Sequence, residues 1–278
     1  MRTVTIAAEL VSALKRLRLG CIIPTLPERI GLAEKQSMPL QDFLLLILSD
    51  EVSRRDGSAV QRRARDANLD PDMFLEHFDK TAKITYDKRL LAELCSLRFL
   101  EAHKHVTIMG PVGVGKTFLA NSLGHIACRH GYNVYFTRAD QMLHLLKQSR
   151  FDNSRDDRML ELTTVDLLVV DDFAIDQMSK EESKDVYQLF VERTGRASMI
   201  ITSNRDTSEW LAMFDDTLRA QSAIDRFRNA AYDLVIEGET YRSRLKPKLD
   251  PNDPPPQSPS PKSLRPPRRL RRERSSGR

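Results

Sequence analysis

A chain of 278 residues, 40% hydrophobic and 30% charged, has room for one ordinary core domain with appendages. Cys21, Cys95 and Cys128 stand far apart with no Cys-x-x-Cys pair, and no apolar run approaches the roughly 18 residues of a membrane span. These features exclude a disulfide framework, a zinc cluster and membrane insertion; with no signal peptide at the N-terminus, they point to the cytoplasm. The net charge of +5 is uneven, because residues 246–278 hold ten Lys/Arg against three acids and the remainder is therefore slightly acidic.

From Val4 to Leu19, Ala7, Leu10, Val11, Leu14 and Leu17 recur at helical spacing. A break at Pro24–Pro27 precedes a short helix to Lys35, and Met38-Pro39 opens a third helix carrying Leu40, Phe43, Leu44, Ile47, Leu48 and Val52. A fourth, about Ser58 to Asn68, continues a basic cluster of Arg54, Arg55, Arg62, Arg63 and Arg65. This is either a solvated face or a phosphate-binding surface for double-stranded DNA. Residues 1–68 thus form a small all-helical N-terminal domain. Residues 69–86, with Pro71 and isolated anchors Phe74 and Phe78, read as a linker. A strong helix follows from Asp87 to Leu100.

The apolar run Val106–Met109 then opens into Gly110, Pro111, Val112, Gly113, Val114, Gly115, Lys116, Thr117 and Phe118. The Gly-x4-Gly-Lys-Thr spacing is that of a phosphate-binding loop. Its glycines let backbone N–H groups face phosphate oxygens, Lys116 reaches the β- and γ-phosphates, and Thr117 offers a hydroxyl to Mg²⁺. A second strand (133–137), a helix from Ala139 to Gln148 and a polar break at 151–157 lead to a third strand, Val165–Asp172. Four apolar residues followed by two aspartates are how a buried strand delivers carboxylates beside such a loop: Asp171 to Mg²⁺, Asp172 to the attacking water. A helix (180–195) and a fourth strand (198–204) bring Ser203 and Asn204 to the same edge, unless they serve only to cap the next helix. After a helix at 218–229 and a fifth strand at 232–236, Pro247–Arg278 holds nine prolines and an arginine-rich end, a composition expected to remain disordered. The fold class is α/β: a five-stranded parallel P-loop sheet in the order 5-1-4-3-2 with helices on both faces, spanning 87–246 without a lid.

The loop Gly110–Thr117, Leu167–Phe173, Thr202-Ser203-Asn204-Arg205, Asp225-Arg226-Phe227 and Glu237–Arg242 together resemble the IstB-type ATP-binding helper proteins of bacterial insertion sequences, AAA+ ATPases close to the DnaC helicase loaders. The likeness runs over about residues 15–245. It implies an ATPase using ATP and Mg²⁺ that forms a homo-oligomer on double-stranded DNA and works with the transposase of the same element. It also implies that Asn204 senses the γ-phosphate, that Arg226 is an arginine finger entering the neighbouring subunit, with Arg228 the alternative, and that Arg242 is a further nucleotide-sensing arginine beside Arg244. Ala174 departs from the glycine that often follows Asp-Asp-Phe, and Val112 and Val114 replace the usual proline and threonine. A DnaC-type helicase loader and, from another class, a small-molecule kinase are the alternative functions; the aspartate pair and Arg226 favour hydrolysis between subunits.

Overall fold

The structure, a computed structural model, describes residues 5–79 and 81–241. Arg242, Arg244 and the proline- and arginine-rich tail lie outside the described residues. The chain begins with helices α1 (Ala8–Arg16), α2 (Leu26–Lys35) and α3 (Leu40–Asp66). α3 runs unbroken for 27 residues where two helices were expected. Gly57, the natural place for a break, meets nothing within 4 Å of where its side chain would be, so no tertiary contact forces the helix to end there. The first half of α3 packs with α1 and α2 around Ile22, Leu26 and Ile47. Its end and the residues that follow join the main core through Ala64, Ala67 and Leu69.

Residues 69–78, expected as part of a linker, are fastened along the helix that follows the glycine-rich loop. The Asp70 amide donates to Asn121 Oδ1 at 3.0 Å, Ser122 Oγ donates to the Met73 carbonyl at 3.1 Å, and Phe74 lies against His125 and Arg129. Next come β1 (Ile84–Thr85), α4 (Lys88–Cys95) and α5 (Arg98–Glu101). The single helix anticipated over 87–100 is interrupted at Leu97, which takes a left-handed φ of +61° and turns Phe99 and Leu100 into the core.

Five parallel strands follow: β2 (His105–Met109), β3 (Val134–Arg138), β4 (Leu167–Asp171), β5 (Ser198–Ser203) and β6 (Ala231–Val235). Between them run α6 (Lys116–Arg129), α7 (Ala139–Gln148), α8 (Arg155–Thr164), α9 (Lys180–Arg193) and α10 (Thr217–Asn229); β7 (Glu237–Gly238) closes the described chain and pairs antiparallel with β1. The sheet order is β3-β4-β5-β2-β6, the order expected from the sequence. Its central strands are buried on both faces, which is why β4 reads as an uninterrupted apolar run up to Asp171. In β4, Leu167 and Val169 face the cluster containing α6, while Leu168 and Val170 face that of α7–α10.

α8 occupies part of the expected polar break. Its sequence is rich in charge because the connection is held by an ion cluster: Asp185 of α9, 1% exposed, is bound by Arg150 and Arg155 at 2.7 Å each.

At the opposite end of β2 from the glycine-rich loop, His105 is fully buried, stacked 4.7 Å from Phe227, and its Nδ1 accepts from the Met199 amide at 3.2 Å. Burial, with smaller contributions from the charges of Arg193 and Lys104, lowers its pKa from 6.5 to about 4. The unfolded chain therefore takes up a proton between those values that the folded chain refuses, and stability falls as pH drops below 6.5. Urea unfolding should show the protein losing about 2 kcal/mol more between pH 8 and pH 5 than its His105→Leu variant. Equal losses would mean that His105 can charge within the fold.

Candidate functional site at the C-terminal edge of the sheet

β2 delivers the chain to the middle of the sheet edge, where the backbone must turn sharply. Gly110 adopts φ +151° against β6: a side-chain carbon there would sit 2.1 Å from the Ile236 carbonyl oxygen. That close approach is fixed by the Ile236 amide, which donates to the Met109 carbonyl at 2.7 Å. Gly113 and Gly115 take left-handed φ values of +84° and +97°, and the Gly113 carbonyl accepts from the Tyr241 amide at 2.7 Å. Val114 is buried beneath the loop, whereas Pro111 and Val112 are exposed. The phenyl ring of Phe78 covers Gly115 and packs 5.5 Å from Phe118.

α6 then starts at Lys116, 5% exposed, whose ammonium donates to the Pro111 carbonyl at 2.8 Å and to Asn204 Oδ1 at 2.6 Å. Thr117 Oγ1 lies 3.0 Å from both carboxylate oxygens of Asp171. Thus the adjacent Lys116 and Thr117 reach two residues far away in the chain, Asn204 and Asp171, through side-chain hydrogen bonds. Asp171 is 4% exposed. Burial pushes its carboxyl above the usual carboxylate range and the neighbouring Asp172 charge adds to this, while hydrogen bonds from Thr202 and Thr117 oppose it. Asp172 is half-buried with φ +55°, and Arg138 Nη2 lies 4.0 Å from its carboxylate. Ala174 also takes a left-handed φ, +60°, a conformation in which glycine carries no side-chain penalty.

Magnesium is tested by the donor set. Among the described residues no group of three His, Cys, Asp or Glu side chains could hold a metal by itself. A hydroxyl and one carboxylate fit Mg²⁺, which prefers oxygen donors and fills the rest of its shell with water and phosphate.

One expectation changes. Ser203 does not emerge beside the aspartates: its hydroxyl donates to the Phe173 carbonyl at 2.9 Å and accepts from Trp210 Nε1. Strand alternation turns Thr202, one residue earlier, toward Asp171 instead. Arg226 is exposed on α10, with no hydrogen bond or ion pair among the described residues. In the basic cluster, Arg54 and Arg55 are bound to Glu51, and Arg63 donates to the Cys128 carbonyl. Arg62 and Arg65 are exposed.

Thr202 and Arg138 were not singled out from the sequence. Arg138 was accessible in principle, since the anticipated strand order pairs it with Asp171. Thr202 needed the face of β5 to be known.

Residues 12–249 match the family described as IstB-like ATP binding protein. The chain belongs to that family. An insertion-sequence ATP-binding protein of Mycobacterium tuberculosis is 34% identical over 238 residues, covering 85% of this chain and 94% of the relative. The insertion sequence IS21 ATP-binding protein of Pseudomonas aeruginosa is 32% identical over 237 residues, covering 85% and 88%. Among solved structures, DnaI aligns with a TM-score of 0.51 at 20% identity over 59% of this chain and 90% of that one. A DNA replication initiation factor aligns with 0.51 at 22% identity over 64% and 53%. At those identities the shared property is the fold. The IstB-like chain is thus an ATP-binding protein of AAA+ architecture, and no helix among its described residues is long and apolar enough to cross a membrane.

Because the backbone of Ile236, just beyond β6, occupies the space of a Gly110 side chain, Gly110→Ala should lower the thermal unfolding temperature by several degrees and weaken nucleotide binding together. An unchanged melting temperature would show that the loop and Ile236 are not in contact.

Proposed function

We propose that this chain is a Mg²⁺-dependent ATPase that assembles with further copies on double-stranded DNA and acts with the transposase of its insertion sequence. The observation that carries the catalytic part is the pair of bonds Lys116–Asn204 and Thr117–Asp171, which hold the loop, β4 and β5 at one point. With ATP bound, the ammonium of Lys116 transfers from Asn204 and Pro111 to phosphate oxygens, freeing the Asn204 amide to contact the γ-phosphate and the attacking water. Thr117 and Asp171 would hold Mg²⁺, which would supply positive charge to offset that of the phosphates. Asp172, at the mouth of the same edge, orients the water and accepts its proton. The cavity of about 450 Å³ lined by Phe78, Ile84, Tyr86 and Leu91, with Asp79 and Lys88 as its charged members, adjoins the loop through Phe78 over Gly115 and is the candidate place for the base.

Its relatives' names place them in insertion sequences, which supports DNA and a transposase as partners. Arg62 and Arg65 are the exposed members of the basic cluster without an ion pair among the described residues and are the best placed for DNA phosphates. Arg226 is exposed on α10 without a side-chain partner among the described residues, as suits a residue completing a neighbour's site. Arg242, outside the described residues, remains a candidate nucleotide contact.

Lys116→Ala should weaken ATP binding, whereas Asp172→Asn should keep ATP bound and lower kcat by roughly 10² to 10⁴-fold; undiminished turnover in both would refute the assignment. Mixing Arg226→Ala with Lys116→Ala subunits on DNA should partly restore hydrolysis, because a mixed assembly can pair an intact loop with an intact arginine. Full activity of Arg226→Ala alone would move the finger to another residue, with Arg228 next.

A further inference from the structure

We infer that Thr202 is a positioning residue whose single hydroxyl sets both aspartates of the site; this rests on the Mg²⁺-dependent nucleotide reading. Thr202 is fully buried, one step beyond the Val170–Ile201 pair that joins β4 to β5. Its Oγ1 accepts from the Asp172 amide at 2.9 Å and lies 2.5 Å from Asp171 Oδ1. An amide can only donate, so the hydroxyl proton is committed to Asp171. The two bonds therefore have fixed directions: one presents Asp171 as a charged acceptor, the other holds the peptide at which the chain leaves β4.

That peptide leads into a strained turn. Asp172 has φ +55°, a region that residues with a side chain seldom adopt unless their surroundings enforce it. Thr202 grips the turn a second time, its carbonyl accepting from the Phe173 amide at 2.8 Å. The backbone bond would survive any substitution, but the side-chain bond would not. Thr117 is the other hydroxyl on Asp171; once it serves Mg²⁺, Thr202 is the donor that continues to orient that carboxylate. A hydroxyl that merely satisfied a buried position would leave metal demand unchanged on removal. One that positions both carboxylates would alter metal demand through Asp171 and turnover through Asp172.

The test compares the wild-type protein with Thr202→Val, Thr202→Ser and Thr202→Cys, each first checked for cooperative unfolding. A fluorescent, non-hydrolysable ATP analogue is titrated with and without Mg²⁺, and kcat and KM for ATP are measured separately. Thr202→Val should raise the Mg²⁺ concentration for half-maximal analogue binding about tenfold, leave metal-free binding within about twofold, and lower kcat about 100-fold. Thr202→Ser, which keeps the hydroxyl, should stay within about threefold of wild type on every measure. Should the valine variant fail to fold, Thr202→Cys carries the same expectation in weaker form, because a thiol is a poor donor. Wild-type metal demand and kcat in the valine variant, or in the cysteine variant replacing it, would overturn the inference. So would a serine variant as impaired as valine, since that would assign the effect to the methyl group. Mg²⁺-independent analogue binding by the wild-type protein would instead overturn the nucleotide reading beneath it.

Discussion

A carboxylate almost entirely removed from water must be met by hydrogen-bond donors, and at Asp171 that requirement organises the edge of the sheet. The two hydroxyls that meet it come from different elements, Thr117 at the start of α6 and Thr202 at the end of β5. Both can reach it because β5 lies between β4 and β2. The same insertion brings Asn204 to Lys116. Strand order, loop geometry and the bonds of one buried acid are thus a single arrangement.

α6 extends that arrangement into the rest of the molecule. Its first turn carries Lys116 and Thr117, and farther along Asn121, Ser122 and His125 hold residues 70–73 through the Asp70 amide, the Met73 carbonyl and the Asp70 carbonyl. The last turn carries Cys128, whose carbonyl accepts from Arg63 of α3. α3 continues without interruption into the thinly packed helices around Ile47, where Arg54 and Arg55 hold the buried Glu51 carboxyl well below its ordinary range. The phosphate loop and the N-terminal helices therefore bear on a common helix, α6.

Much of this was legible in the residues. The loop spacing, the apolar runs of β2, β4 and β5 and the aspartates closing β4 depend on local composition, and the strand order follows from where they fall. What stayed hidden depended on partners. The charged sequence of α8 does not announce a helix, because its placement relies on Asp185 of α9. Leu97 looks like one more helical leucine, yet it is the left-handed residue that separates α4 from α5. The parity of β5 could not be read from a strand buried on both faces, so Ser203 was expected at the aspartates where Thr202 stands. Arg138 was obscured differently: its meaning arises only beside β4, and it also binds Asp140.

The most direct measurement is a crystal structure of the protein with Mg²⁺ and a non-hydrolysable ATP analogue. The account predicts the triphosphate wrapped by residues 110–117, Mg²⁺ contacted by Thr117 and served by Asp171, and Lys116 withdrawn from Asn204 to the phosphates. Nucleotide bound elsewhere, or bound with the Lys116–Asn204 contact intact and Asp171 remote from the metal, would contradict it.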